Sequence, residues 1–209
     1  MVDPRKYAEK AIRKQEMPKA LLSAYLNSGM ASRVDGVFKR TEELFRENAD
    51  VPKAVMMHYE QILPCIAFYE DLLKLTGNRE EALAFYDAHV LDEIRKSGET
   101  IQKVMKIPGL YKIMPGLFRA AVKKMFGEAA GFQMKELGIK DAFAIDMTAC
   151  PYVKTCIRYG HPEIAHYFCD SDDITYGHMH PCLVWERTKT IGRGDEICDF
   201  RLYRREGSK

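Results

Sequence analysis

Ala142-Phe143-Ala144-Ile145-Asp146-Met147-Thr148-Ala149-Cys150-Pro151 is the segment where the chain changes character. Phe143, Ile145 and Met147 fall on one side of an extended backbone and Ala142, Ala144 and Asp146 on the other, the alternation of a strand. The strand over 141–148 then stops, and a helix follows over 150–160. Upstream the period is helical. Apolar residues recur at three- and four-residue spacing over 4–29, 32–48, 51–76 and 79–105. The third of these carries Pro64, which predicts a kink, and ends at Gly77-Asn78 with C-cap chemistry. Pro108-Gly109 and Pro115-Gly116 punctuate a link before a helix at 117–126. Downstream, Pro162 opens a second short helix over 162–172. Leu183–Ile191 and Glu196–Arg204 read as a hairpin around Gly192-Arg193-Gly194-Asp195. The sum is an α+β fold: a helical N-terminal half packed on a C-terminal antiparallel sheet with two short helices. Its regions are a helical 1–126 and an α+β 127–209, expected to form one continuous structural unit.

Composition narrows the class. The 209 residues are 46% hydrophobic and 30% charged, with a formal net charge of +2. That is ordinary globular composition with no global case for nucleic acid or an anionic membrane. No apolar run is long enough to span a bilayer, and the N-terminus has no signal-like apolar core. A cytoplasmic location is the expectation, with the six cysteines as thiols, ligands or core residues rather than disulfides. A homo-oligomer is left open.

Chemistry concentrates late in the chain, where five of six cysteines and four of six histidines lie between Cys150 and Cys198. No Cys-x-x-Cys pair exists, so the strongest structural-zinc signature is missing. Cys150 stands at a strand-to-helix junction, where the helix dipole is expected to lower a thiol pKa; a buried cap role weighs evenly against this. His166, Cys169, Asp170 and Asp173 share one helix face, a spacing that suits a metal or an acid/base pair, against a half-buried face with solvated carboxylates. Asp172 lies one step aside. Cys65, Cys156 and Cys182 read as core residues, and Cys198 shares a core-facing strand side with Phe200 and Leu202. Arg187 and Arg201 are candidate clamps for a substrate carboxylate, against a cross-strand ion pair. Between Glu99 and Glu128 there are six basic and no acidic residues. The preferred reading there is a core-facing helix with a solvated basic face.

In order, Thr148-Ala149-Cys150-Pro151-Tyr152-Val153, Gly160-x-Pro162-Glu163, Phe168-Cys169-Asp170 with Asp172, Glu186-Arg187-Thr188, Gly194 and Cys198-Asp199-Phe200-Arg201 resemble the L-2-amino-thiazoline-4-carboxylic acid hydrolase family. The likeness covers about residues 130 to 204. It implies a hydrolase that opens a small cyclic C–N/C–S substrate to N-carbamoyl-cysteine. Under it Cys150 is nucleophile or thiolate ligand, and Cys169 with Asp172 activates water or moves protons. Asp199 protonates the leaving group, and Tyr152, Arg187 and Arg201 bind substrate. No cofactor is required. A divalent metal is compatible, with Cys150, His166, Cys169, Asp173, His180 and Cys198 as its candidate ligands. Asp173 after Cys-x-x-Asp and the run His178-Met179-His180 depart from the family pattern. The C-terminal pattern is also similar to vinyl-reductase-type domains, which implies the alternative of a non-catalytic sensor or carrier of small molecules. Either way the expected partner is a small molecule, with no nucleic acid and no membrane.

Overall fold

The structure is a computed structural model that describes residues 3–205 and Gly207. The fold is α+β, with a helical N-terminal half and a C-terminal four-stranded antiparallel sheet. The chain divides into two compact units inside one helix: residues 3–93 with 158–161, and residues 94–157 with 162 onward.

The first unit is helical. α1 (Pro4–Lys14) starts under an Asp3 cap, whose carboxylate accepts the Arg5 amide at 3.0 Å, a standard answer to unpaired first-turn N–H groups. The first helical stretch read from the sequence is in fact two helices. Gln15 adopts an extended conformation, and α2 (Glu16–Asn27) begins after it. α3 (Val34–Glu47) and α4 (Lys53–Thr76) complete the set, and α4 runs through Pro64 as one helix ending at left-handed Gly77. α4 is the centre of this unit, with Ile62, Leu63, Ile66 and Phe68 fully buried. Its buried acids are answered individually. Glu60 accepts from Lys10 at 2.7 Å and Gln15 at 3.1 Å. Asp71 takes the Arg33 guanidinium at 2.7 and 2.8 Å and the Tyr25 hydroxyl at 3.1 Å. Residues 158–161 return from later in the chain to complete the unit. Tyr159 donates to Glu47 at 2.9 Å and accepts from Asn48 at 2.8 Å, and His161 lies 3.8 Å from Glu70.

α5 (Arg79–Val104) carries the chain into the second unit. There Gly98 passes α8 (Ala165–Tyr176) so closely that a Cβ would stand 3.1 Å from the Ile174 carbonyl oxygen. The sheet has the order β1-β2-β4-β3, with β1 (Gln133–Glu136), β2 (Ala142–Ala149), β3 (Leu183–Glu186) and β4 (Cys198–Arg204), every pairing antiparallel. Its register pairs Ile145 with Phe200, Met147 with Cys198, and Trp185 with Leu202. These residues and Phe143 therefore occupy one face, and Ala144, Asp146, Asp199 and Arg201 occupy the other. α6 packs on the first face.

Two elements differ from the sequence reading. α6 spans Leu110–Met125, beginning at left-handed Gly109 and including Pro115, where a link and a shorter helix were expected. Pro115 stands beyond the first turn, so it removes one intrahelical N–H bond, and the helix continues through it. Met114, Phe118 and Val122 gain a seat over the sheet. The basic side of α6 is held rather than merely solvated, since Arg119 and Lys123 reach Glu136 at 2.7 and 2.8 Å. The hairpin is also shorter than expected, because β3 ends at Glu186. Beyond it Asp199 accepts from the Thr188 and Lys189 amides at 2.8 and 2.6 Å and from the Thr188 hydroxyl at 2.6 Å. Asp195 accepts the Thr190 amide at 2.7 Å. These carboxylates replace ladder bonds and turn residues 187–197 into a shaped loop. No helix among the described residues is long and apolar enough to cross a membrane.

Asp71→Ala should cost about 1–3 kcal/mol in urea unfolding, because it leaves the Arg33 charge without its fork partner. An unchanged midpoint would mean that Arg33 re-pairs with solvent at no cost.

Candidate functional site

The second unit assembles its chemistry on one sheet face. A cavity of about 310 Å³ lies between α6, the sheet and α8. α6 contributes Met114, Leu117, Phe118 and Val122; the strands contribute Phe143, Ile145, Met147, Trp185 and Phe200. α8 contributes Tyr176 and Asp172, and Asp172 is the only charged side chain in the described lining. Phe118 meets Tyr176, Phe143 and Trp185 with ring centroids 4.8, 5.8 and 5.9 Å apart. The indole N–H of Trp185 donates to Asp173 at 2.9 Å, which fixes that wall.

Asp172 keeps 38% of its side chain accessible and borders the apolar cavity. Burial pushes its carboxyl up to about 7, with the Asp173 charge adding to the effect and Arg187 opposing it. That puts a carboxyl at the pKa useful for proton transfer near neutrality.

Arg187 sits immediately after β3 with 1% of its side chain exposed. Its guanidinium donates to the Cys169 carbonyl at 2.6 Å and to the Asp173 carboxylate, stands 3.6 Å from Asp172, and lies 4.9 Å from the Phe200 ring centroid. Burial opposes its charge, but the hydrogen bond it donates to Asp173 and the nearby acids hold its pKa above the ordinary arginine value.

Three cysteines gather beside this group. The Cys169 thiol on α8 is hydrogen-bonded to the Cys198 sulfur on β4. Cys198 also accepts the Ile191 amide at 3.2 Å. The two thiols are driven apart. The bond with Cys169, the Ile191 amide and Arg187 draw Cys198 below the ordinary thiol range, while that same bond and burial push Cys169 up. Cys169 therefore holds its proton more tightly than an ordinary thiol, and Cys198 releases its own more readily. Gly192 makes the approach possible, since a Cβ there would stand 2.8 Å from the Cys169 sulfur and 3.3 Å from the Ala165 carbonyl oxygen.

Of the two readings weighed evenly for Cys150, the lowered thiol pKa does not hold. It precedes α7 (Pro151–Arg158), and the amides of Val153 and Tyr152 do favour its thiolate. Burial outweighs them and pushes its thiol up to about 11, with the neighbouring Cys198 and Asp172 adding to the shift. The helix terminus therefore does not make a thiolate here.

The remaining candidates are dispersed. Asp199 and Arg201 lie on the opposite sheet face. Burial raises Asp199, but the Thr188 hydroxyl and the amides of Lys189 and Thr188 outweigh it and hold the carboxylate ionised. Arg201 donates to Asp146 at 2.7 Å and to the Ile145 carbonyl at 2.6 Å, the cross-strand pairing weighed against a clamp. The Tyr152 ring packs against Phe168 at 5.0 Å. His166 pairs with Asp170 at 2.9 Å, and Asp170 in turn takes Arg193 at 2.6 and 2.8 Å. His180 stacks on Tyr111 at 4.6 Å and accepts the Cys182 amide at 3.0 Å. Asp173 is engaged by Arg187 and Trp185. Among the described residues, no three His, Cys, Asp or Glu side chains group so as to hold a metal ion. None of the six cysteines is in a disulfide.

Two features escaped the sequence reading. The chemistry of Cys198 was hidden because its strand position reads as core. The α6 wall was hidden by its two Pro-Gly pairs, although the apolar residues interleaved among its lysines did signal a packed face.

A family model described as L-2-amino-thiazoline-4-carboxylic acid hydrolase matches residues 54–202. No curated protein and no solved structure matches the chain significantly.

Ultraviolet thiolate absorbance followed against pH should show a step below the ordinary thiol range that is absent from Cys198→Ser and retained in Cys150→Ser. The reverse pattern would show that the α7 terminus outweighs burial at Cys150.

Proposed function

This chain belongs to the L-2-amino-thiazoline-4-carboxylic acid hydrolase family, and from that premise we propose that it opens a small cyclic amidine-like ring by adding water at the carbon between sulfur and nitrogen. The observation that carries this reading is the Asp172 carboxyl, poised at about 7 and bordering the cavity. With L-2-amino-thiazoline-4-carboxylate as the reference ring, the ionised carboxylate takes a proton from water as its oxygen bonds to the ring carbon. The ring nitrogen ends with one water hydrogen. The tetrahedral intermediate then collapses to a carbonyl, the C–S bond breaks, and the departing sulfur receives the other hydrogen from Asp172. The product is N-carbamoyl-cysteine, and no atom is unaccounted for.

The thiol pair and Arg187 stand behind Asp172. Arg187 opposes the burial of its charge, so the carboxyl remains a reversible acid and base rather than a permanently neutral acid. Neither Cys150 nor Cys198 is among the residues lining the cavity, so the mechanism assigns no covalent intermediate to them.

One observation favours a second reading, a non-catalytic small-molecule carrier: apart from Asp172, the cavity wall is formed by apolar and aromatic side chains. Such a domain would bind without turnover.

Incubation of the protein with L-2-amino-thiazoline-4-carboxylate, followed by mass spectrometry, should show the gain of one water. The rate should rise with pH through about 7 as Asp172 ionises and level off above it. Asp172→Asn should lower kcat/KM by roughly 10²–10⁴-fold and remove that limb. Binding without water addition by folded protein would reject the hydrolase and favour the carrier.

A further inference from the structure

The ring that names the family carries a carboxylate. A carboxylate entering an apolar space must exchange its water for a cation or for directed donors. No lysine, arginine or histidine is among the described residues lining this cavity, and its one charged group, Asp172, is itself an anion. Arg187 does not remedy this. It is not part of the wall and 1% of its side chain is exposed; Nη2 serves the Cys169 carbonyl and Asp173, while Nε and Nη1 have no hydrogen-bond partner but are buried outside the lining, Nη1 3.6 Å from Asp172. A second carboxylate brought beside Asp172 would add like-charge repulsion to the loss of water.

The cavity suits the opposite arrangement. A protonated 2-amino-thiazoline or related amidine is planar and offers N–H groups that one carboxylate oxygen accepts in a charge-assisted bond, which leaves the second Asp172 oxygen for the attacking water. Beyond Asp172 the walls are Phe118, Val122, Phe143, Trp185 and Phe200, which favour a flat or branched apolar group. At about 310 Å³ the space reaches the range of cavities that hold a ligand larger than a bare ring, roughly 300–1,000 Å³.

We propose that this cavity takes a cyclic isothiourea or amidine whose ring bears an apolar aryl or branched-alkyl arm in place of the carboxylate, with the cationic head on Asp172 and the arm among the aromatic walls. The proposal rests on the hydrolase reading for the fate of the ring, and on the cavity alone for what binds.

The test uses two probes, 2-amino-4-phenyl-2-thiazoline and L-2-amino-thiazoline-4-carboxylate. Each is titrated calorimetrically into the full chain and then followed by mass spectrometry for added water. The phenyl compound should bind at least about tenfold more tightly. Val122→Trp, which fills the cavity, should abolish that advantage, and Ala121→Phe on the same wall serves if the first variant does not fold. Asp172→Asn should weaken the phenyl compound by removing the partner of its head. Equal or tighter binding of the carboxylate overturns the proposal, as does phenyl affinity that is indifferent to both wall variants. Tight, wall-dependent phenyl binding without ring opening keeps the proposal and defeats the hydrolase. Ring opening of the carboxylate without a phenyl preference does the reverse.

Discussion

A guanidinium with 1% of its side chain exposed has given up nearly all of its water, and a fold that buries it must supply partners in return. Arg187 receives the Asp173 carboxylate and the Cys169 carbonyl from α8, the Asp172 carboxylate from the same helix, and the Phe200 face from β4. One cation thus binds a helix to the end of a sheet. The neighbouring features depend on it. Trp185 is fixed because Asp173 is fixed, Asp172 is held at the cavity edge, and the Cys169–Cys198 pair lies within the field of the same charge. Asp173 completes this arrangement by accepting from both Arg187 and Trp185.

The sheet divides the polar residues between two tasks. On the cavity face stand the groups with displaced proton affinities, Asp172, Cys169 and Cys198. On the other face Asp199 and Arg201 shape a loop and cross-link strands. Burial raises Asp172, the Cys169–Cys198 hydrogen bond separates the two thiols, and at Asp199 the hydroxyl and amides outweigh burial. Where side chains are cut off from solvent, proton affinities separate; where amides and hydroxyls surround a carboxylate, it stays ionised.

Much of this was legible in the residues. The alternation in 142–147 gave the central strand and its two faces, because period 2 is a local property. The ordered motif blocks gave the family for the same reason. What could not be read locally depended on partners distant in sequence. Cys150 carries the mark of an activated thiol, and only the packing around it shows that burial prevails. Cys198 looks like a core residue until α8 brings Cys169 against it. Asp172 stands one step aside from a helix stripe, and only α6 closing the space beside it shows the cavity it borders, while α6 itself was obscured by a proline that its packing tolerates. The long apolar segments were recognised as helices, while the break at Gln15 went unread because nothing in its side chain announces an extended residue.

The return of residues 158–161 to the helical unit sets the order in which the protein can be finished. The ribosome delivers α1 to α4 early, but His161 beside Glu70, and Tyr159 between Glu47 and Asn48, arrive only after β1, β2 and α7 have been made. During synthesis the early helices must wait with Glu70 and Asn48 lacking those partners. A nascent chain arrested before residue 158 therefore carries an incomplete helical unit, and cleavage at Glu93 cannot release a whole one. In the order of synthesis the N-terminal helices therefore receive these partners only after β1, β2 and α7 have been made.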